Sequence, residues 1–205
     1  MLEYLSQYWY LIVLLFVVVI FTFFLWVKAA KSSSERNREK KEFLAKLERE
    51  KDLRTRFAEI NVEVLEREPL EDVFEGVVAN IQRRIDKTEQ EDVIKFFDSL
   101  SAPMRYVYTA FYVFEDSKDG LHGFFKKNTY PIAPLASEAM AAIFGEEIGA
   151  VVNEQWEIFD EENEEKSVIF EEYDRVNKKF NNLTQNVDTN SAVKEYVINN
   201  IADFA

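Results

Sequence analysis

Nineteen consecutive uncharged residues, from Trp9 to Val27, constrain this chain more than any other feature. As an α-helix, about nineteen residues extend roughly 28 Å, close to the thickness of bilayer hydrocarbon. A buried core helix seldom stays apolar on every face over this length. A cleaved signal peptide usually has basic residues before a shorter apolar stretch, whereas residues 1–8 contain Glu3 and no Lys or Arg. The sequence therefore predicts a retained transmembrane helix in the lipid bilayer at residues 9–27, after a short extracytoplasmic N-terminus at residues 1–8.

Basic residues lie on only one side of the apolar run. Six Lys and Arg residues occur within residues 28–41, and none precedes Trp9. Because positively charged flanks are retained in the cytoplasm, we expect the N-terminus outside and the remainder of the chain inside the cell. The predicted location is the inner (cytoplasmic) membrane, crossed once.

A basic juxtamembrane helical stalk is predicted over residues 28–68. Residues 28–56 hold eleven basic and six acidic residues, a net charge of +5, and neither Gly nor Pro occurs before Pro69. Opposite charges recur four residues apart, as in Glu42 and Lys46, a spacing that supports an exposed helix. The apolar positions form a ragged stripe without a strict heptad. Three interpretations are open: a solvated spacer whose last turns pack on the next domain, a parallel coiled coil in a homodimer, or adhesion to anionic lipid.

An acidic all-α domain is predicted over residues 69–205. Residues 57–205 hold fourteen basic and thirty-one acidic residues, a net charge of −17. Apolar residues recur at steps of three and four, with no alternation over the length of a strand, so we expect about seven or eight helices. The apolar sets span residues 74–85, 93–100, 104–114, 148–159 (Ile148, Val152, Trp156 and Phe159), 169–183 and 193–204. Pro69 is expected in the first turn of the first helix, Ser101 as the N-cap of the third, and Asn190 or Ser191 at the start of the last.

Composition argues against an enzyme or a metalloprotein. The chain has no Cys and one His, so disulfides, thiolate nucleophiles and Cys- or His-rich metal sites are excluded. The acidic balance argues against direct nucleic-acid binding, which depends on Lys and Arg. His122, near Asp116 and Asp119, has the residue types of a general base and its carboxylate, but a lone His in a turn is more often structural. We therefore predict no catalytic residue, no cofactor and no metal.

One segment, from Glu115 to Pro131, interrupts the helical pattern. The pair Asp119-Gly120 indicates a turn, and Gly123 allows a close approach of backbone or a bulky neighbour. We expect Leu121, Phe124 and Phe125 to belong to this structural loop, with both phenylalanines inserted into the core. Asn128 is expected to close the turn.

This loop resembles the signature of the C-terminal domain family of the DNA-mimic proteins, an Asn-Gly-Gly-Phe-x-Gln-Phe-Phe-x-Asn type sequence. Gly120, Phe124 and Phe125 match it, whereas Leu121 replaces an aromatic residue and Gly123 replaces the glutamine. Lys127, or Asn128 with a shift of one residue, takes the place of the last asparagine. The Ala-Ile-Phe-Gly step at residues 142–145 and the helices near residues 173–180 and 196–204 extend the resemblance over about residues 95–205. It implies an acidic, all-helical, mostly uncharacterised bacterial family without known catalysis, in which at least one relative presents carboxylates to a DNA-binding protein.

Seven acidic residues crowd into residues 154–165. They are Glu154, Glu157, Asp160, Glu161, Glu162, Glu164 and Glu165. On a helix, residues three and four apart lie about 5–6 Å apart, a spacing comparable to successive phosphates on one strand. The chain from Glu154 through Glu157 and Glu161 to Glu165 therefore predicts an acidic face that binds a basic protein partner, in the manner of a DNA mimic. Two alternatives are open: an ordinary solvated helix face, and a structural or immunity-type neutralising protein that acts through shape.

Overall fold

The computed structural model describes residues 38, 40–87, 93–159 and 171–204. The chain divides into two compact units, Met1–Arg49 and Glu50–Ala205. The N-terminus at residues 1–8 and the predicted span at residues 9–27 lie outside the described residues. In the first unit, residues 40–49 are helical and their side chains are exposed. Within the described ranges, no helix combines the length and the apolar character needed to cross a membrane.

The second unit confirms the all-α prediction, because its described residues form helices and turns without a strand. After a helical segment at residues 50–56, nine α-helices follow in the described ranges. They are α1 (Val62–Arg67), α2 (Leu70–Asp86), α3 (Val93–Ser99), α4 (Ala102–Asp116), α5 (Leu121–Lys127), α6 (Ala136–Phe144), α7 (Glu146–Ile158), α8 (Glu171–Thr184) and α9 (Thr189–Asn199). Short 3₁₀ turns, Ala133–Leu135 and Ile201–Asp203, precede α6 and follow α9.

The core of this unit forms around α4, which packs between α2 and α6. Helix α9 packs on α2, and α7 packs on both α6 and α8. Apolar residues at steps of three and four make this arrangement possible, because they give each helix one continuous apolar face. Partly buried aromatic rings pack against this core: Phe111 meets the buried Phe74 edge-to-face with ring centroids 5.4 Å apart, and Phe114 meets Phe144 in the same way at 5.2 Å. Such aromatic pairs contribute about 0.5–1.5 kcal/mol beyond the burial of their area.

The predicted stalk is not one continuous helix up to Pro69. The helical segment ends after residue 56, and Asn61 adopts an extended backbone before α1. The Asn61 side-chain oxygen accepts a hydrogen bond from the Val64 N–H at 2.9 Å, so Asn61 is an N-cap that begins a new helix. Leu53, Phe57 and Ile60 are buried in the core. The compact unit consequently starts at Glu50, upstream of the Pro69 boundary expected from the sequence.

Arg56 ties this early segment to the helices that follow. Its guanidinium donates to Asp52 at 2.8 Å, to Glu68 at 2.8 Å and to Asp72 at 2.6 Å. Hydrogen bonds from Arg56, and next from Arg67, hold the pKa of Glu68 below its ordinary value. Because the guanidinium donates several hydrogen bonds in fixed directions, it orients the carboxylates that it binds as well as compensating their charge. The segment at residues 50–56 is therefore an integral part of the second unit.

Helix ends follow the sequence signals in part. Ser101 is the N-cap of α4, since its hydroxyl oxygen accepts from the Met104 N–H at 3.4 Å. Pro69 precedes the first turn of α2 as its N-cap instead of lying within it. Asp188 caps α9 by accepting from the Ser191 N–H at 3.0 Å, so neither Asn190 nor Ser191 begins that helix as predicted.

The last predicted helix is also shorter than expected. Helix α9 ends at Asn199, and a 3₁₀ turn then carries the chain to Phe204, which is buried in the core. The Asn200 side-chain amide donates to the Tyr196 carbonyl oxygen at 2.8 Å. An asparagine that hydrogen-bonds to nearby backbone competes with the regular helix, and this explains the early end.

Candidate protein-interaction surface

The segment that resembles the family signature contains a short helix, α5, where the sequence predicted an irregular loop. Gly120 precedes it with φ +115°, a conformation that other residues rarely adopt. The Leu121 N–H at the start of α5 donates to the Asn177 side-chain oxygen of α8 at 2.6 Å. This contact satisfies one of the N–H groups that a helix N-terminus leaves free, and no local pattern in the sequence predicts it.

The other signature residues pack α5 against its neighbours. A Cβ on Gly123 would lie 2.9 Å from the Asp116 carbonyl oxygen, so a larger residue would push α5 away from α4. Leu121, Phe124 and Phe125 are buried. The Asn128 amide donates to the Asp116 carboxylate at 2.8 Å and to the Phe124 carbonyl oxygen at 3.0 Å. The contacts of this segment are those of a structural element.

His122 does not form an acid–base pair with Asp116 in the described part of the chain. The Asp116 carboxylate accepts from Asn128 and lies 3.2 Å from the Lys127 ammonium. The His122 ring packs edge-to-face on Tyr173 with centroids 5.5 Å apart, and its buried Nδ1 atom has no hydrogen-bond partner there. Among the described residues, no three His, Cys, Asp or Glu side chains are grouped in a way that could hold a metal ion.

The acidic face predicted over residues 154–165 does not continue along one helix. Helix α7 ends at Ile158, and Phe159 has an extended backbone with φ −77° and ψ 126°. The Tyr173 hydroxyl donates to the Ile158 carbonyl oxygen at 3.0 Å, which satisfies one of the free carbonyls at this helix end. Of the seven acidic residues, α7 therefore carries Glu154 and Glu157. The residues Asp160, Glu161, Glu162, Glu164 and Glu165 lie outside the described residues.

Two residues of the predicted acidic face, Glu154 and Glu157, lie on α7, and their surroundings differ. Glu154 lies 2.7 Å from the Arg175 guanidinium and 2.8 Å from the Lys179 ammonium, both on α8. The hydrogen bond from Lys179, aided by the charge of Arg175, holds the pKa of Glu154 below its ordinary value. Glu157 is exposed and accepts from the Asn153 amide at 2.7 Å. Glu154 is thus compensated within the domain, whereas Glu157 faces a neutral amide.

An exposed tryptophan precedes Glu157 in the chain, although the spacing of apolar residues predicted Trp156 on the apolar face of its helix. Trp156 is 36% exposed, and the preceding residue, Gln155, is fully buried in its place. The indole packs on Phe125 at 5.2 Å and lies nearly parallel to Phe159 at 6.4 Å. Tryptophan is enriched among the residues that anchor protein interfaces. The position of Trp156 between Glu154 and Glu157 is the sequence signal that could have indicated its exposure.

Comparisons with known proteins give no relative for this chain: no protein-family model, no curated protein and no solved structure matches it. The resemblance to the DNA-mimic family over about residues 95–205 therefore stays a prediction based on the signature loop and the helices around it.

Proposed function

We propose that this protein is a single-pass, membrane-anchored interaction module with its N-terminus outside and its acidic helical domain in the cytoplasm. The apolar run at residues 9–27 and the one-sided basic flank support this arrangement. The domain has its own apolar core from Leu53 to Phe204, as a tethered binding domain requires. No catalytic role and no cofactor form part of the proposal.

The proposed activity is the binding of a basic protein partner to the acidic surface. The observation that carries it is the net charge of −17 on residues 57–205. A field of one sign raises the local concentration of oppositely charged partners and their association rate. At the end of α7, Trp156 adds an exposed aromatic ring, and Glu157 adds a carboxylate that has no cationic partner among the described residues; the pair suits a Lys or Arg side chain.

DNA mimicry is the more specific form of this proposal. The family resemblance supports it, together with the acidic residues between Glu157 and Glu165. The ion pair of Glu154 with Arg175 and the end of α7 at Ile158 reduce the number of regularly spaced, free carboxylates that one continuous helix would have offered. A mimic of this kind would therefore use Glu157 and the acidic residues after it, and not Glu154.

A neutralising protein that acts through shape is the second candidate. The compensated Glu154 and the aromatic stack of Trp156 favour it, because both features reduce the share of binding that net charge would supply. Ionic strength separates the two candidates, since exposed charges are screened by salt whereas apolar packing is not.

Pull-down with the full chain in lipid nanodiscs, at about 50 mM and about 300 mM NaCl, tests the proposal through this screening. A partner held by the acidic surface should be lost at the higher salt, and duplex DNA should displace it if the surface is a DNA mimic. The charge reversal Glu157→Lys, Glu161→Lys and Glu165→Lys should abolish binding. A matched reversal of three exposed acids elsewhere, Glu63→Lys, Glu66→Lys and Glu71→Lys, should leave most of it.

Equal binding at both salt concentrations, unaffected by the first reversal, would favour shape recognition. Equal loss with both triple variants would mean that net charge, and not this surface, determines binding. In that case the assignment of the site to residues 154–165 would be wrong, even if a basic partner is real.

A further inference from the structure

Three large apolar side chains are exposed on the helical residues 40–49 of the first unit. Phe43 is 61% exposed, Leu44 47% and Leu47 44%. Because each helical residue advances by about 100°, the three side chains share one side of the helix within an arc of roughly 100°. We call these residues the juxtamembrane face. Adjacent exposed apolar side chains of this size are typical of a surface that meets a partner or a membrane.

Basic residues outnumber acidic ones around the juxtamembrane face, with four Lys or Arg and two Glu in residues 40–49. At helical spacing Lys40 lies on the face, between Leu47 and Leu44, while Lys41 and Lys46 lie at its two edges. Of the acidic residues in this stretch, Glu48 falls at one edge of the face, between Leu44 and Lys41, and Glu42 falls on the far side, where its carboxylate lies 3.4 Å from the Arg38 guanidinium. An apolar strip flanked by lysines is the pattern of a helix that lies in the headgroup region of a membrane.

We propose that the juxtamembrane face binds the surface of an anionic bilayer, with the phenyl and leucyl groups among the upper acyl chains. The lysines extend their alkyl chains along the apolar layer and place their ammonium groups at the lipid phosphates. Fifteen residues separate Val27 from Phe43, so the chain can carry this face at most about 50–60 Å from the end of the proposed span. The closeness of this face to the bilayer rests on the proposed transmembrane anchor. The amphipathic pattern of residues 40–49 is independent of that anchor.

A second copy of the chain fits the same face less well. A coiled coil needs apolar positions that repeat every seven residues, and the three apolar residues here cover only about one turn. A parallel dimer would also bring Lys40 of each copy close to the same lysine of the other. An anionic lipid surface satisfies both the apolar side chains and the charge of these lysines.

The absence of cysteine from the chain makes a direct test possible, because one introduced cysteine takes one label. Leu44→Cys places a polarity-sensitive fluorophore on the juxtamembrane face, and Ala45→Cys places it on the exposed far side. Each full-length variant is reconstituted into phosphatidylcholine liposomes with or without phosphatidylglycerol. With phosphatidylglycerol, emission at position 44 should rise severalfold and shift to the blue, while emission at position 45 stays that of water. Replacing Lys40, Lys41 and Lys46 with Gln should remove the preference for anionic lipid.

Emission typical of water at position 44 in both liposomes overturns the proposal. Equal emission in both liposomes, together with efficient disulfide cross-linking of unlabelled Leu44→Cys chains, also overturns it and assigns the face to a second copy. Alkaline carbonate extraction of the same liposomes reports on the anchor separately. If the chain resists extraction but position 44 stays in water, the anchor is supported and the lipid-binding face is refuted. If the chain is extracted but position 44 shows the blue shift with phosphatidylglycerol, the face is supported and the anchor is refuted.

Discussion

Phe57→Ala should destabilise the second unit by about 3–5 kcal/mol, the usual cost of removing a buried phenyl ring. Phe57 lies within the predicted stalk at residues 28–68, and its side chain is fully buried. The ring rests directly on the backbone of α2: a Cβ built on Gly76 would lie 2.3 Å from two of its carbon atoms. Neighbouring backbone cannot easily move into the space that a truncated side chain leaves, so we expect the upper half of this range.

Urea unfolding of the full chain in a mild detergent, followed by near-ultraviolet circular dichroism, measures this loss. With a slope of about 2 kcal/mol per molar urea, a loss of about 4–5 kcal/mol should lower the transition midpoint by roughly 2–2.5 M. Phe43→Ala is the matched control, since that ring is exposed and its removal should change the free energy of unfolding by less than about 0.5 kcal/mol. A loss below about 1 kcal/mol for Phe57→Ala, or equal effects of the two substitutions, would show that the early segment is not part of the core.

Three further substitutions test individual contacts, each through the thermal unfolding midpoint. Asn80→Ala should cost about 1–3 kcal/mol, because the Asn80 amide donates to the buried Phe57 carbonyl oxygen at 2.7 Å and its loss would leave that oxygen without this donor; an unchanged midpoint would contradict this. Gly145→Ala should cost about 1–2 kcal/mol, because residue 145 has φ +104°; a more stable variant would refute the strain. The pKa of Glu154 is lowered in the folded state, so its stabilisation is present above the ordinary value of 4.5 and is lost as pH falls through the lowered one. Glu154→Gln should accordingly lower the midpoint at pH 7 and have little effect at low pH, and a loss that persists undiminished in acid would count against the ion pairs.

Helices with a regular apolar face could be predicted from the sequence because their periodicity reports directly on burial. In α8, Tyr173, Val176 and Phe180 step by three and four residues, and all three are buried. Ser101 was predictable as a cap because a hydroxyl before a helical pattern satisfies a free N–H by local geometry alone.

Other features depend on contacts between distant residues, which local patterns do not encode. Gln155 is buried and Trp156 exposed because the orientation of α7 is set by its packing on α6 and α8. Glu154 has two cationic partners only because α8 lies alongside α7. The sequence indicates the acidic charge of the surface, but which carboxylates remain uncompensated follows from this pairing of helices.

The central claim, a membrane-anchored acidic domain inside the cell, is tested most directly by reporters fused to the C-terminus of the full chain. A fluorescent protein that matures only in the cytoplasm should be bright in the membrane fraction, and alkaline phosphatase, which is active only after export, should remain inactive. An active phosphatase fusion, or a chain recovered in the soluble fraction, would contradict the proposed topology.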